Sequence, residues 1–146
     1  MIAKVTKWEM ISALRNPNYR QAVGTIKDPT QQSCYCYTGL ILHLAAARRG
    51  APIQEDATDF FDVSTDEVKV AGFRFLSRRL AEPGITNIPL EALDLETPGP
   101  ARNAVAKYRR CLNSKERKTL KSIEAWRLND AGMTFPQFAD ILEATA

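Results

Sequence analysis

The side chains most able to do chemistry are one imidazole and three thiols: His43, Cys34, Cys36 and Cys111. Cys36 stands just before an apolar stretch, Thr38-Gly-Leu-Ile-Leu-His-Leu44, that reads as a helix. A helix N-terminus can depress a thiol pKa and create a nucleophile. Such a nucleophile also needs a base within hydrogen-bond reach. His43 lies seven residues further along the same helix, about 10 Å away by helical rise. The pair cannot meet, so His43 is predicted to be a core histidine. On a strand, Cys34 and Cys36 would face the same side, with Tyr35 and Tyr37 on the other. With an odd cysteine count and no signal-peptide pattern at the N-terminus, the three thiols are expected to be buried and free, in a reducing, cytoplasmic setting.

Other reactive groupings fare no better. Cys34, Cys36, His43 and Cys111 lack the paired Cys-x2–4-Cys or His-x3–5-His spacing of a zinc site. The acids Glu55, Asp56, Asp59 and Asp62 lack the ligand spacing of an EF-hand and its bidentate Glu. No phosphate-binding glycine loop, dinucleotide fingerprint, His-Glu-x-x-His or Gly-x-Ser-x-Gly motif occurs. The expectation is therefore a non-enzymatic protein with no metal and no cofactor.

Charge is distributed more tellingly. Net charge is only +3, yet residues 55–96 carry ten acids against four bases (Lys69, Arg74, Arg78 and Arg79). Residues 102–127 carry nine bases against two acids. Arg102, Lys107, Arg109, Arg110, Lys115, Arg117, Lys118 and Lys121 are the candidate binding residues, able to steer an acidic protein partner or to follow phosphates. A solvated helical face, partly neutralised by the acidic loop, is the structural alternative. A third possibility is a small ligand held beneath a hairpin by Tyr35, Tyr37 and Trp126.

These residues need elements to position them. Trp8, Ile11 and Leu14 share one face of a helix over 6–16, stopped by Asn16-Pro17. Short strands over 19–27 and 33–37, with Asp28-Pro-Thr-Gln-Gln32 between them, suggest a small β-hairpin over about 19–37. Thr38 can cap a helix over 39–49, apolar on nearly every face until Arg48 and Arg49, which places it at the centre of the fold. Phe60-Phe61 offers a core anchor within an acidic, irregular stretch over 51–63. Ser64-Thr-Asp-Glu67 has capping-box spacing and opens a helix over about 65–82. An ordered loop over 85–100, with one short helix or strand, leads to helices over 101–112 and 114–130, the second opened by Asn113-Ser-Lys-Glu116. Gly132 ends it, and Thr134-Phe-Pro-Gln137 opens the last helix, giving a C-terminal helix hairpin. Leu128-Asn-Asp-Ala-Gly-Met-Thr-Phe-Pro-Gln-Phe-Ala-Asp-Ile-Leu142 has helix-turn-helix rhythm, but no recognition helix follows it.

The fold class expected is α+β, predominantly helical, in a single domain over 1–146, with no stretch long enough to span a bilayer.

Several motifs recur in order: Lys7-Trp8 with Ala13-Leu14-Arg15, Tyr19-x-Gln21, Tyr35-Cys36-x-x-Gly39, and Leu128-Asn129-Asp130-x-Gly132-x-Thr134-Phe135 with Phe138-Ala139-Asp140 and Glu143. Together they resemble a family of small proteins of bacteriophage and bacterial genomes, over roughly half the chain. That family commonly has paired cysteines before its helix, where this chain has Cys34-Tyr-Cys36. The resemblance implies an accessory cytoplasmic protein, plausibly phage-encoded, and transfers no activity, cofactor or catalytic residue. The functional expectation is an accessory or regulatory binding protein acting through a protein partner. The alternative is a nucleic-acid-binding module using 102–127.

Overall fold

A computed structural model describes residues 4–24, 28, 30–49 and 80–145, with side chains of the central helix described through residue 45. The protein is α+β and mostly helical, with six helices and two two-stranded sheets among the described residues. In chain order the elements are α1 (Lys7–Arg15), β1 (Arg20–Gln21), β2 (Cys34–Tyr35), α2 (Tyr37–Arg49), β3 (Asn87–Pro89), α3 (Pro100–Arg109), α4 (Ser114–Thr119), β4 (Ser122–Glu124), α5 (Ala125–Asp130) and α6 (Phe135–Ala144). The helix expected over 65–82 and the Phe60-Phe61 anchor fall outside the described residues, apart from its end. Leu80 is still helical, and Ala81 pairs in parallel with Val5.

α2 is the centre, as its composition predicts. Tyr37, Leu40, Ile41, Leu42 and Ala45 are buried. The cap differs from expectation: the helix begins at Tyr37, and Thr38 lies buried within its first turn. Cys36 takes the capping role, its carbonyl accepting from Leu40 N–H and its Sγ accepting from Gly39 N–H at 3.3 Å. A thiol can substitute for the usual hydroxyl because the first amides of a helix need any acceptor within reach.

α1 is opened by a capping box in which Thr6 and Glu9 satisfy each other's backbone amides. Its buried face is Met10, Ile11, Ala13 and Leu14. Trp8, expected on that face, is 62% exposed. At 100° per residue it projects from the far side of the Met10–Leu14 stripe, where Ile11 alone could not draw it inward. α1 packs chiefly against α6, the last helix, so the two ends of the chain meet. Arg15 pairs with Asp140 and Glu143, and Lys7 Nζ donates to the Thr145 carbonyl at 3.0 Å.

The hairpin expected over 19–37 is not formed. β1 and β2 pair in parallel, Arg20 with Cys34 and Gln21 with Tyr35. The chain turns twice between them. The Asp28 carboxylate accepts from Thr30 N–H and Thr30 Oγ1, and Ser33 adopts φ 52°.

The helix expected over 114–130 is also interrupted. Its capping box forms as predicted, with Asn113 Oδ1 accepting from Glu116 N–H at 2.8 Å and Glu116 Oε1 from Asn113 N–H at 3.0 Å. However, α4 stops at Thr119, and β4 then pairs antiparallel with β3, setting Ile123 opposite Ile88. Both isoleucines are buried, so tertiary burial overrides local helical preference here. The loop expected over 85–100 accordingly holds β3 and a 3₁₀ turn over Leu90–Ala92.

At the C-terminus, Gly132 at φ 106° closes α5, with Met133 N–H donating to the Leu128 carbonyl and Gly132 N–H to that of Asn129. This double bond pattern needs a left-handed residue, which glycine adopts without penalty. The predicted Thr134/Gln137 capping box then opens α6. After this turn α6 docks chiefly along α1, so the C-terminal helices are joined in sequence more than paired in space.

Candidate functional site

The imidazole and the thiols do not assemble. His43 Nδ1 lies 3.1 Å from Tyr35 Oη, its ring stacks on that of Tyr35 at 4.7 Å, and Tyr19 meets both edge-on. This is an aromatic cluster at the β2–α2 corner. Burial pushes the Cys36 thiol up to about 11 and also raises Cys34. Both sulfurs are therefore protonated near neutral pH, the reverse of what a thiolate nucleophile requires. Cys111 corrects the expectation of three buried thiols. It is exposed in the turn after α3, with Sγ 3.7 Å from the Lys107 carbonyl. Its neighbours Arg109, Arg110 and Asn113 are exposed as well. Among the described residues, no group of three His, Cys, Asp or Glu side chains could hold a metal ion.

This exposure pattern has a direct consequence. In the native protein, an aromatic disulfide reagent at mildly alkaline pH should titrate one thiol quickly, and Cys111→Ser should abolish that fast phase. Rapid labelling of Cys34 or Cys36 would contradict the burial described here.

The three aromatic residues proposed for a ligand do not converge either. Tyr37 is fully buried against Phe138, with rings 4.3 Å apart, and its hydroxyl donates to the Ile85 carbonyl at 2.6 Å. Tyr35 belongs to the His43 cluster, and Trp126 lies on α5 with its Nε1 donating to Glu124 at 3.0 Å. Tyr37 is packing, not a ligand wall.

The basic residues behave differently. All eight candidates, Arg102, Lys107, Arg109, Arg110, Lys115, Arg117, Lys118 and Lys121, are exposed. They occupy one continuous arm: α3, the turn at Arg110–Leu112, α4 and the residues leading into β4. The arm is folded onto itself by Arg117 Nε, which donates to the Arg109 carbonyl at 2.8 Å and so satisfies the C-terminal end of α3. Arg102 donates to the Glu96 backbone carbonyl at 3.2 Å, not to its carboxylate. Among the described residues none of the eight makes an ion pair. Within 100–121 there is one acid, Glu116, against these eight cations. Neutralisation by the described acids of 80–96 is therefore not what holds the arm. α4 buries none of its residues, so its cations stand on an outer surface. They do not line a basic hollow: of Arg109, Arg110, Lys118 and Lys121, only Lys121 reaches the depression of about 430 Å³ beneath α4, alongside Glu116 and Glu124.

One polar constellation escaped sequence reasoning altogether. Asn129 is fully buried. Its Oδ1 accepts from Tyr37 N–H at 3.1 Å and Gln21 Nε2 at 2.8 Å, and its Nδ2 donates to the Ala22 carbonyl at 2.9 Å. Gln21 completes the link, donating to the Met133 carbonyl at 2.6 Å and accepting from Phe135 N–H at 3.0 Å. Asp130, the next residue, accepts from Gly24 N–H. The only hint in the sequence is a pair of amide side chains beside turns.

No family model, curated protein or solved structure matches this chain. Among the described residues, no helix is long and apolar enough to cross a membrane.

Proposed function

We propose that this protein is an accessory binding protein without chemistry of its own, and that the α3–α4 arm docks on the phosphate backbone of a nucleic acid. The observation that carries this reading is eight exposed cations on one arm with no ion pair among the described residues. Unpaired cations at that density repel one another, and a polyanion relieves the repulsion by displacing its own counterions. A protein partner is the weaker fit for this surface. Protein interfaces centre on aromatic or aliphatic anchors and are depleted in lysine. Among the described residues the exposed large apolar side chains, Trp8 and Val23, are on α1 and in the loop after β1, not on the arm. Those two residues favour a second reading, in which a protein partner is held elsewhere on the molecule.

Binding should be sequence-independent and salt-sensitive, because exposed cations that contact phosphates carry no sequence information. Anisotropy of a labelled short duplex, followed from about 50 to 300 mM salt, should give a log–log slope of about −4 or steeper, bounded by the about −7 of eight contacts. A flat slope would defeat the proposal. Equal competition by polyglutamate of matched charge would reassign the arm to an acidic protein.

A further inference from the structure

Arg127 stands apart from the eight arm cations. Its guanidinium carbon lies 4.2 Å from the centre of the Tyr108 ring and 4.5 Å from that of Trp126. Tyr108 comes from α3 and Trp126 from α5, so the stacking joins the two helices. Beside this stack is a cleft of about 320 Å³, lined by Asn103 and Lys107 of α3 together with Tyr108, Trp126, Arg127 and Asp130. Arg127 Nε is buried and makes no hydrogen bond, the nearest acid being Glu124 Oε1 at 3.8 Å. That carboxylate also accepts the Trp126 indole N–H through its other oxygen. The guanidinium makes no side-chain hydrogen bond among the described residues.

A planar cation stacked on two aromatic rings keeps little rotational freedom. Contact with both rings restrains it, and its N–H groups, which make no side-chain hydrogen bond among the described residues, hold its remaining capacity. A fixed guanidinium edge matches two oxygens of a tetrahedral or planar oxyanion, and ordering it beforehand lowers the entropy cost of binding. Lys107 adds a second positive charge to the cleft, and Asn103 adds an amide donor. The opposing charges are Glu124, paired with Arg127 at 3.8 Å, and Asp130, whose carboxylate accepts from Gly24 N–H at 3.1 Å. Arg127 and Lys107 thus face two carboxylates that are each already engaged, Asp130 by Gly24 N–H and Glu124 by the Trp126 indole N–H.

We propose that the cleft between α3 and α5 is a phosphate-monoester site, with Arg127 as a bidentate clamp flanked by Lys107 and Asn103. The site does not depend on α4 and stands whether or not the arm binds a strand. A terminal phosphate of a nucleic acid and the phosphate of a free nucleotide offer the same chemistry, and the probes below separate them.

The experiment follows Trp126 fluorescence in the full chain carrying Trp8→Phe, which leaves Trp126 as the only indole. Inorganic phosphate and adenosine monophosphate should give a saturable change, whereas adenosine should give none. A short single strand with a 5′-phosphate binding at least about tenfold tighter than its unphosphorylated twin identifies the strand end as source. Equal binding of the two strands, with adenosine monophosphate retained, identifies the free nucleotide. Arg127→Lys keeps the charge but loses the fork and should weaken phosphate binding at least about tenfold. Should that change disturb the stack, Asn103→Ala with Lys107→Gln on exposed α3 positions should weaken binding similarly at unchanged thermal stability. Reversal of Arg109, Arg110, Lys118 and Lys121 should leave phosphate affinity within about threefold at physiological salt, where screening acts over about 8 Å. No saturable response to either phosphate probe overturns the proposal, as does unchanged affinity in the Asn103/Lys107 variant.

Discussion

Replacing Arg109, Arg110, Lys118 and Lys121 together by glutamate is expected to abolish nucleic-acid binding while leaving the fold intact. All four are exposed, and none makes an ion pair among the described residues, so folding loses nothing specific when their sign changes. A phosphate contact at about 4 Å in water is worth about 1 kcal/mol, so losing four attractions alone weakens binding by about three orders of magnitude. The added repulsion lowers it further. The salt slope should flatten by about 0.9 for each contact removed, a signature that simple unfolding would not reproduce. Circular dichroism and thermal unfolding of the same variant provide the control. If the reversed protein binds a duplex as tightly as the parent, the arm is not the contact surface.

Asn129→Leu should cost about 3 to 4 kcal/mol of stability, read as a fall in the urea midpoint. The substitution leaves Tyr37 N–H and the Ala22 carbonyl without the partner that Asn129 supplies. Each buried group left unpaired costs about 1 to 3 kcal/mol. Gln21→Ala should be milder, because Gln21 is only half-buried. The double variant should lose less than the sum, since the two amides bond each other and share one network. A loss below about 1 kcal/mol for Asn129→Leu would show that these bonds are replaced by water, and the network would lose its structural role.

Local signals were legible where a side chain and its own neighbours decide the outcome. The capping boxes at Asn113 and Thr134, the Gly132 stop and the interior position of α2 all follow from short-range rules. The basic segment was legible as charge, and all eight of its candidates are exposed. What could not be read was set by distant partners. Ile123 leaves the helical pattern because Ile88, far back in the chain, offers a buried strand pairing. The 19–37 segment holds a parallel pair where a hairpin was expected, because alternation of residue types is blind to strand direction. Trp8 has apolar spacing yet faces outward, since only the docking of α6 selects which face of α1 is covered. Arg127 looked like one more base in a run, and its difference lies in Tyr108 on another helix.

The stitching of chain ends has a consequence for biosynthesis. Gln21, Ala22 and Tyr37 find their amide partner only at Asn129, and the apolar face of α1 is covered only by α6. Such contacts enclose most of the polypeptide, and closing a loop of that length before any return is gained slows folding. A nascent chain is therefore expected to lack the partner of the Tyr37 amide, and native structure to lock only after residues 128–142 have cleared the exit tunnel. Until then, Met10 and Leu14 are open to chaperones.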